Sequence, residues 1–124
     1  YLNIKDIIVL GHSGCGGIAG LLSAADGEMI GEFVGRWDDI ASEARKRAIA
    51  KVGPGNQSEL SCVCEQEAIL TSLRNLRTFP WLKKRIDAGS LQLHGRYFQI
   101  ETGQLLGDSA ETERYEILVS EYPP

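Results

Sequence analysis

Asp6-Ile7-Ile8-Val9-Leu10-Gly11-His12-Ser13-Gly14-Cys15-Gly16-Gly17 is a short apolar run that ends in a glycine-rich turn. The β-branched residues and the turn after them predict a strand over residues 6–10, of the kind buried on both faces in a parallel sheet. Four glycines in the seven residues 11–17 allow a sharp turn and a close backbone approach. His12 and Cys15 sit at the strand's exit, and in open α/β sheets ligands bind just past the carboxyl ends of strands. Imidazole and thiolate are zinc donors, yet a zinc site needs three or four protein ligands, so His-x-x-Cys alone is a weak signal.

The chain around this stretch has 124 residues, 43% of them hydrophobic, and a formal net charge of −4. That suits one globular unit, read here as a single domain over 1–124. No basic run points to nucleic acid, and no apolar run is long enough to span a membrane. No signal-peptide pattern is present, and a cytoplasmic setting is the default expectation. Three cysteines, Cys15, Cys62 and Cys64, make an odd set that argues against a disulfide framework. The first residue is Tyr1, and Tyr1-Leu2-Asn3-Ile4 reads as a helix tail running at once into a strand. The expectation is therefore the C-terminal part of a longer chain.

From Gly14 a helical pattern runs through Ile18, Leu21 and Leu22 to about Asp26-Gly27. Ile30, Phe33, Val34, Trp37, Ile40, Ala41 and Ala44 then mark one face of an amphipathic helix. Gly53-Pro54-Gly55-Asn56 is a loop. A second long helix is expected over Ser61–Thr78, with Ile69, Leu70, Leu73 and Leu76 as its stripe. Phe79-Pro80-Trp81 makes a corner, and a short helix over Leu82–Ala88 stops at Gly89 in a left-handed cap. Leu91–Ile100 reads as a strand with a bulge at Gly95. Glu101-Thr102-Gly103 turns into a strand at Gln104–Leu106, and Tyr115–Val119 is a last edge strand. So little sheet for so many helices again suggests strands N-terminal to residue 1.

Other chemistry is weaker. Gly14-x-Gly16-x-x-Ala19 matches a dinucleotide-binding fingerprint, but the second parallel strand that reading needs falls where a helix is expected. Cys62 and Cys64, two apart on a helix, point about 200° away from each other and read as small core fillers. His94 reads as a structural histidine. Trp37 and Trp81, with Phe33 and Phe79, are at core spacing.

Ile-Ile-Val-Leu-Gly-His-Ser-Gly-Cys-Gly-Gly resembles the second zinc motif of the β-class carbonic anhydrases. Glu65-Gln66-Glu67-Ala68-Ile69, Asn75-Leu76-Arg77-Thr78-Phe79-Pro80-Trp81 and Leu93-His94-Gly95-Arg96-Tyr97-Phe98-Gln99-Ile100-Glu101-Thr102-Gly103 resemble that family's later helices and hairpin, in the same order. The resemblance implies an α/β fold that is part of the β-carbonic-anhydrase fold: a parallel strand plus a C-terminal hairpin flanked by helices, with N-terminal strands missing. It implies a zinc lyase that reversibly hydrates carbon dioxide to bicarbonate and a proton. It assigns His12 and Cys15 as two of three protein ligands of Zn2+, and the backbone N–H of Gly16 as a substrate contact. It implies a homodimer or higher homo-oligomer. The family's first motif, Cys-x-Asp-x-Arg, supplies the other cysteine and an Asp–Arg pair; it does not precede Asp6. Hence the expectation that this chain alone is poorly stable and inactive. A non-catalytic zinc- or bicarbonate-binding relative is the alternative.

Overall fold

The computed structural model describes residues 3–23, 32–53, 55–108 and 115–120, with the side chains of 32–40 outside the description. Its elements are β1 (Asp6–His12), α1 (Gly16–Ser23), α2 (Glu32–Val52), α3 (Gln57–Arg77), α4 (Pro80–Asp87), β2 (Gln92–Gln99), β3 (Gln104–Asp108) and β4 (Tyr115–Val119). The strands form one sheet in the order β1-β2-β3-β4. β1 runs parallel to β2, from Asp6 opposite Gln92 to His12 opposite Phe98. β2–β3 and β3–β4 are antiparallel. The expected architecture, one parallel strand joined to a C-terminal hairpin with helices between, is the one observed.

The helices form where the sequence gives them ends. Asn56 caps α3: its side chain accepts the Glu59 backbone N–H at 3.2 Å, and its amide donates to the Glu59 carboxylate at 3.3 Å. This reciprocal pair is a capping arrangement, and it starts α3 at Gln57 rather than at Ser61. Pro80 occupies the first turn of α4, where its missing N–H costs nothing, so α4 begins at Pro80 rather than Leu82. Gly89 closes α4 at φ +74°, as expected of a left-handed cap. α1 begins at Gly16, and Gly14, at φ +66°, belongs to the turn before it. The ends expected near Asp26-Gly27 and at Ile30 lie outside the described residues, as do Tyr1 and Leu2 of the expected helix tail. Asn3 is left-handed (φ 46°) and Ile4 is not helical.

Two buried clusters hold the elements together. Ile18 and Leu21 of α1, Ala41, Ala44 and Ala48 of α2, and Leu60 and Cys64 of α3 make the first. Three alanines on one face of α2 let the helix axes come close. Ile69, Leu70 and Leu73 of α3 with Tyr97 of β2 make the second, with Val9, Leu93 and Leu106 packed on it. α3 belongs to both.

Three further expectations are corrected. β1 is not buried on both faces: Ile8 and Leu10 are 63% and 64% exposed, because only the odd-numbered side of the strand faces α3. Gly95 is not a bulge. β2 pairs in unbroken register with β1 and β3, and a Cβ on Gly95 would stand 3.0 Å from both Asp108 Oδ1 and Leu73 Cδ1. The irregularity lies instead between Leu105 and Leu106, where β3 pairs with β4. Phe79 and Trp81 are not core: they are 42% and 66% exposed and pack on each other, ring centroids 5.1 Å apart, at the start of a helix that buries none of its residues. The helix expected after α1 is present: α2 occupies the place where a dinucleotide fold needs its second parallel strand, so that fingerprint reading fails as expected. The side chains of Phe33 and Trp37 lie outside the description.

Gly11 is where strand meets helix. A Cβ there would sit 2.7 Å from Ile69 Cδ1 and 2.9 Å from Ile69 Cγ1. Ile69 is itself buried and has little room to yield. Gly11→Ala is expected to destabilise the fold by about 1–3 kcal/mol. Urea unfolding checks this, and Ile69→Val in the same chain should return part of the loss.

Candidate active site

His12 closes β1 and Cys15 sits just before α1. The Ala19 N–H donates to the Cys15 carbonyl at 3.0 Å, so Cys15 is the residue that caps the helix. Its side chain therefore lies at the positive end of α1, where a negative charge is favoured. His12 and Cys15 line the same cavity, of about 220 Å³, together with Val9, Leu10, Ile18, Glu65 and Ile69. Gly16, the first residue of α1, lies outside that lining. Its backbone N–H belongs to the first turn, which has no acceptor of its own within the helix. A Cβ on Gly16 would meet nothing within 4 Å, so sterics within the described chain do not demand glycine there.

The ring of His12 is oriented by its neighbour. Nδ1 lies 2.8 Å from the Ser13 carbonyl. A carbonyl only accepts, so Nδ1 carries the proton and Nε2 of the neutral ring keeps its lone pair. This is the arrangement a metal-ligating imidazole uses, with one nitrogen held by a carbonyl and the other free to bind.

Ser13 anchors the turn. Its hydroxyl donates to Glu101 Oε2 at 2.8 Å and accepts the Ile100 N–H at 2.9 Å, while its own N–H donates to the Phe98 carbonyl at 2.9 Å. The backbone N–H of Glu101 and the Ser13 hydroxyl hold the Glu101 carboxyl below its ordinary range. Ser13, just past the β1 exit, is thus tied to the β2–β3 hairpin.

Glu65 stands behind Cys15. It is 6% exposed, and Oε1 accepts the Cys15 N–H at 3.3 Å while Oε2 accepts the Tyr97 hydroxyl at 2.6 Å. Burial, then the hydrogen bonds to Glu65 and Cys62, hold the Tyr97 phenol far above its usual range, so it remains a donor. In the sequence both residues fall within family-like motifs but carry no assigned role. A signal was present: Glu65, Ile69 and Leu73 are spaced by four, so the carboxylate lies on the inward stripe of α3.

The remaining candidates are structural. Cys62 and Cys64 both lie inside α3 and serve different surroundings. Cys64 is in the first cluster, whereas Cys62 accepts from the Tyr97 hydroxyl at 3.8 Å. His94 Nε2 donates to Asp6 Oδ1 at 2.8 Å and ties β2 to the start of β1. Among the described residues no set of three or more His, Cys, Asp or Glu side chains is arranged to hold a metal ion. The donor set is one imidazole nitrogen and one thiol on a shared cavity. Both are donor types that a zinc site uses, so the chemistry of the pair fits that ion.

Burial, and next the Glu65 charge, push the Cys64 thiol up to about 11. At pH 8 only about one in a thousand of these thiols is ionised. A thiol-titrating reagent on the native chain is expected to modify Cys15 and Cys62 quickly and Cys64 only on unfolding; three equally fast thiols would contradict this packing.

A family model for carbonic anhydrase matches residues 1–105. Beta carbonic anhydrase 5, chloroplastic, of Arabidopsis thaliana is 33% identical over 97 residues, covering 78% of this chain and 32% of its own length. The solved β-carbonic anhydrase CcaA superposes with a TM-score of 0.86 at 32% identity, covering 97% of this chain and 54% of CcaA. A tetrameric β-carbonic anhydrase from Sordaria macrospora shares the fold with a TM-score of 0.67 at 24% identity, over 93% of this chain and 52% of its own. The chain thus spans a third of that plant relative and about half of the solved structures. Motif order, sheet order and these likenesses agree: the chain belongs to the β-carbonic anhydrase family.

Proposed function

We propose that the intact protein is a zinc-dependent carbonic anhydrase that interconverts carbon dioxide and bicarbonate. The observation that carries this is the placement of His12 and Cys15 on one cavity, with His12 Nε2 bonded to none of the described residues, in a chain of this family. His12 Nε2 and the Cys15 sulfur would hold the zinc. The third protein donor and the Asp–Arg pair would come from the family's first motif, outside these 124 residues. Zinc, when bound, acts as a Lewis acid and brings the pKa of water toward neutrality.

The chain's own residues do the rest. The Ser13 carbonyl keeps the His12 ring in the binding tautomer. Val9, Leu10, Ile18 and Ile69 give the cavity an apolar wall, which suits carbon dioxide, a small molecule with no net dipole. The Gly16 N–H, at the start of α1, is a donor for an oxygen of the substrate as charge develops on it. Bicarbonate is anionic and is favoured at that helix end.

With only two of its donors on this chain, the 124-residue polypeptide by itself is inactive in this reading. The intact protein works as a homodimer or larger assembly; the tetrameric Sordaria relative supports that reading. Stopped-flow hydration of carbon dioxide, with zinc analysis, tests the proposal. The intact protein should hold one zinc per chain and turn over well above buffer. His12→Ala and Cys15→Ala should lose both zinc and turnover, and the isolated 124 residues should show background rates. Full zinc and turnover in both variants would overturn the assignment.

A further inference from the structure

We infer that Glu65 is a positioning residue for the Cys15 thiolate: it grips the turn by its backbone and holds the sulfur to the cavity. This rests on the zinc reading above and goes beyond it by naming a residue that is no ligand. Three observations point the same way. The Glu65 carboxylate is almost fully buried, and neither oxygen is idle: one takes the Cys15 N–H at 3.3 Å, the other the Tyr97 hydroxyl at 2.6 Å. Glu65 also lines the cavity shared by His12 and Cys15. Finally, its two partners belong to different layers, since Cys15 opens α1 and Tyr97, 1% exposed, is locked in β2.

The physics follows. The backbone at Cys15 has already left β1 and has not yet entered α1. Its carbonyl is held by the Ala19 N–H; its own N–H has no strand partner and takes the carboxylate instead. With N–H and carbonyl both fixed, the Cα–Cβ direction is fixed, and so is the range of positions open to the sulfur. Tyr97 stops the carboxylate from swinging away, because its phenol stays protonated and keeps donating. Outer partners of this kind typically change metal affinity by about 10–100-fold when removed.

Cobalt substituted for zinc in the intact protein gives the test, because a sulfur-to-cobalt charge-transfer band reports the thiolate bond without any turnover. Glu65→Ala is expected to weaken Co2+ binding at least about tenfold and to shift or weaken that band. Glu65→Gln retains an oxygen for the Cys15 N–H and an NH₂ that can donate to the Tyr97 oxygen. It is expected to restore the band. Tyr97→Phe, which frees one carboxylate oxygen and leaves the other in place, should fall between wild type and Glu65→Ala, and keeps the test available if Glu65→Ala does not fold. Unchanged affinity and spectrum in Glu65→Ala, or in Tyr97→Phe where that variant alone folds, overturns the inference. So does a Glu65→Gln protein as impaired as Glu65→Ala. A wild-type protein showing no thiolate–cobalt band would instead sink the zinc reading itself.

Discussion

The close approach of β1 to α3 at Gly11 sets the geometry of everything downstream. The absence of a Cβ there lets the strand lie against Ile69. One turn of helix before Ile69 is Glu65, and one residue of strand after Gly11 is His12. The contact therefore fixes, in a single step, how far the strand's exit stands from the carboxylate that meets it. A larger residue at 11 would push the turn off the helix and lengthen the reach from Glu65 to the Cys15 amide. A steric fact about packing thus decides an electrostatic fact about the site.

α3 carries two duties along its length. Its first half packs with α1 and α2 through Leu60 and Cys64; its second half packs on the sheet through Ile69, Leu70 and Leu73. Glu65 lies at the changeover, where an amide N–H donates to one oxygen of the buried carboxylate and a phenol to the other. Farther round the helix Glu67 is met differently, by the ammonium of Lys51 and, at 3.9 Å, by Arg74. Two buried acids two residues apart are thus satisfied by different chemistry, one by neutral donors and one by charge.

Much of this was legible in the sequence because it is local. The apolar run at 6–10, the glycines after it, the 3.6-residue stripes and the cap at Gly89 each depend on neighbours within a few positions. Family motifs supplied His12 and Cys15. What was not legible depends on distant partners. The hydrogen bond from Cys15 to Glu65 spans 50 residues of chain, and that from Tyr97 to Glu65 spans 32. Periodicity marks Glu65 as facing inward but does not say what it meets there. The same limit explains the aromatic corner: Phe79 and Trp81 have core-like spacing, yet they open a helix that buries none of its residues. Gly95 shows a third kind of limit, since a glycine in a strand signals either a bulge or a close neighbour, and only the Asp108 and Leu73 contacts decide between them.

The Ser13 anchor has a practical consequence for anyone grafting sequence onto this scaffold. The turn at Glu101-Thr102-Gly103 is tight, polar and largely exposed, the usual description of a spot that accepts an inserted peptide or new termini. Here the same turn begins with the Glu101 carboxylate that, with the Ile100 N–H just before it, clasps Ser13, one residue from the imidazole. Lengthening it would loosen a joint that looks remote along the chain but is adjacent in space. The permissive surface and the sensitive one are the same few atoms.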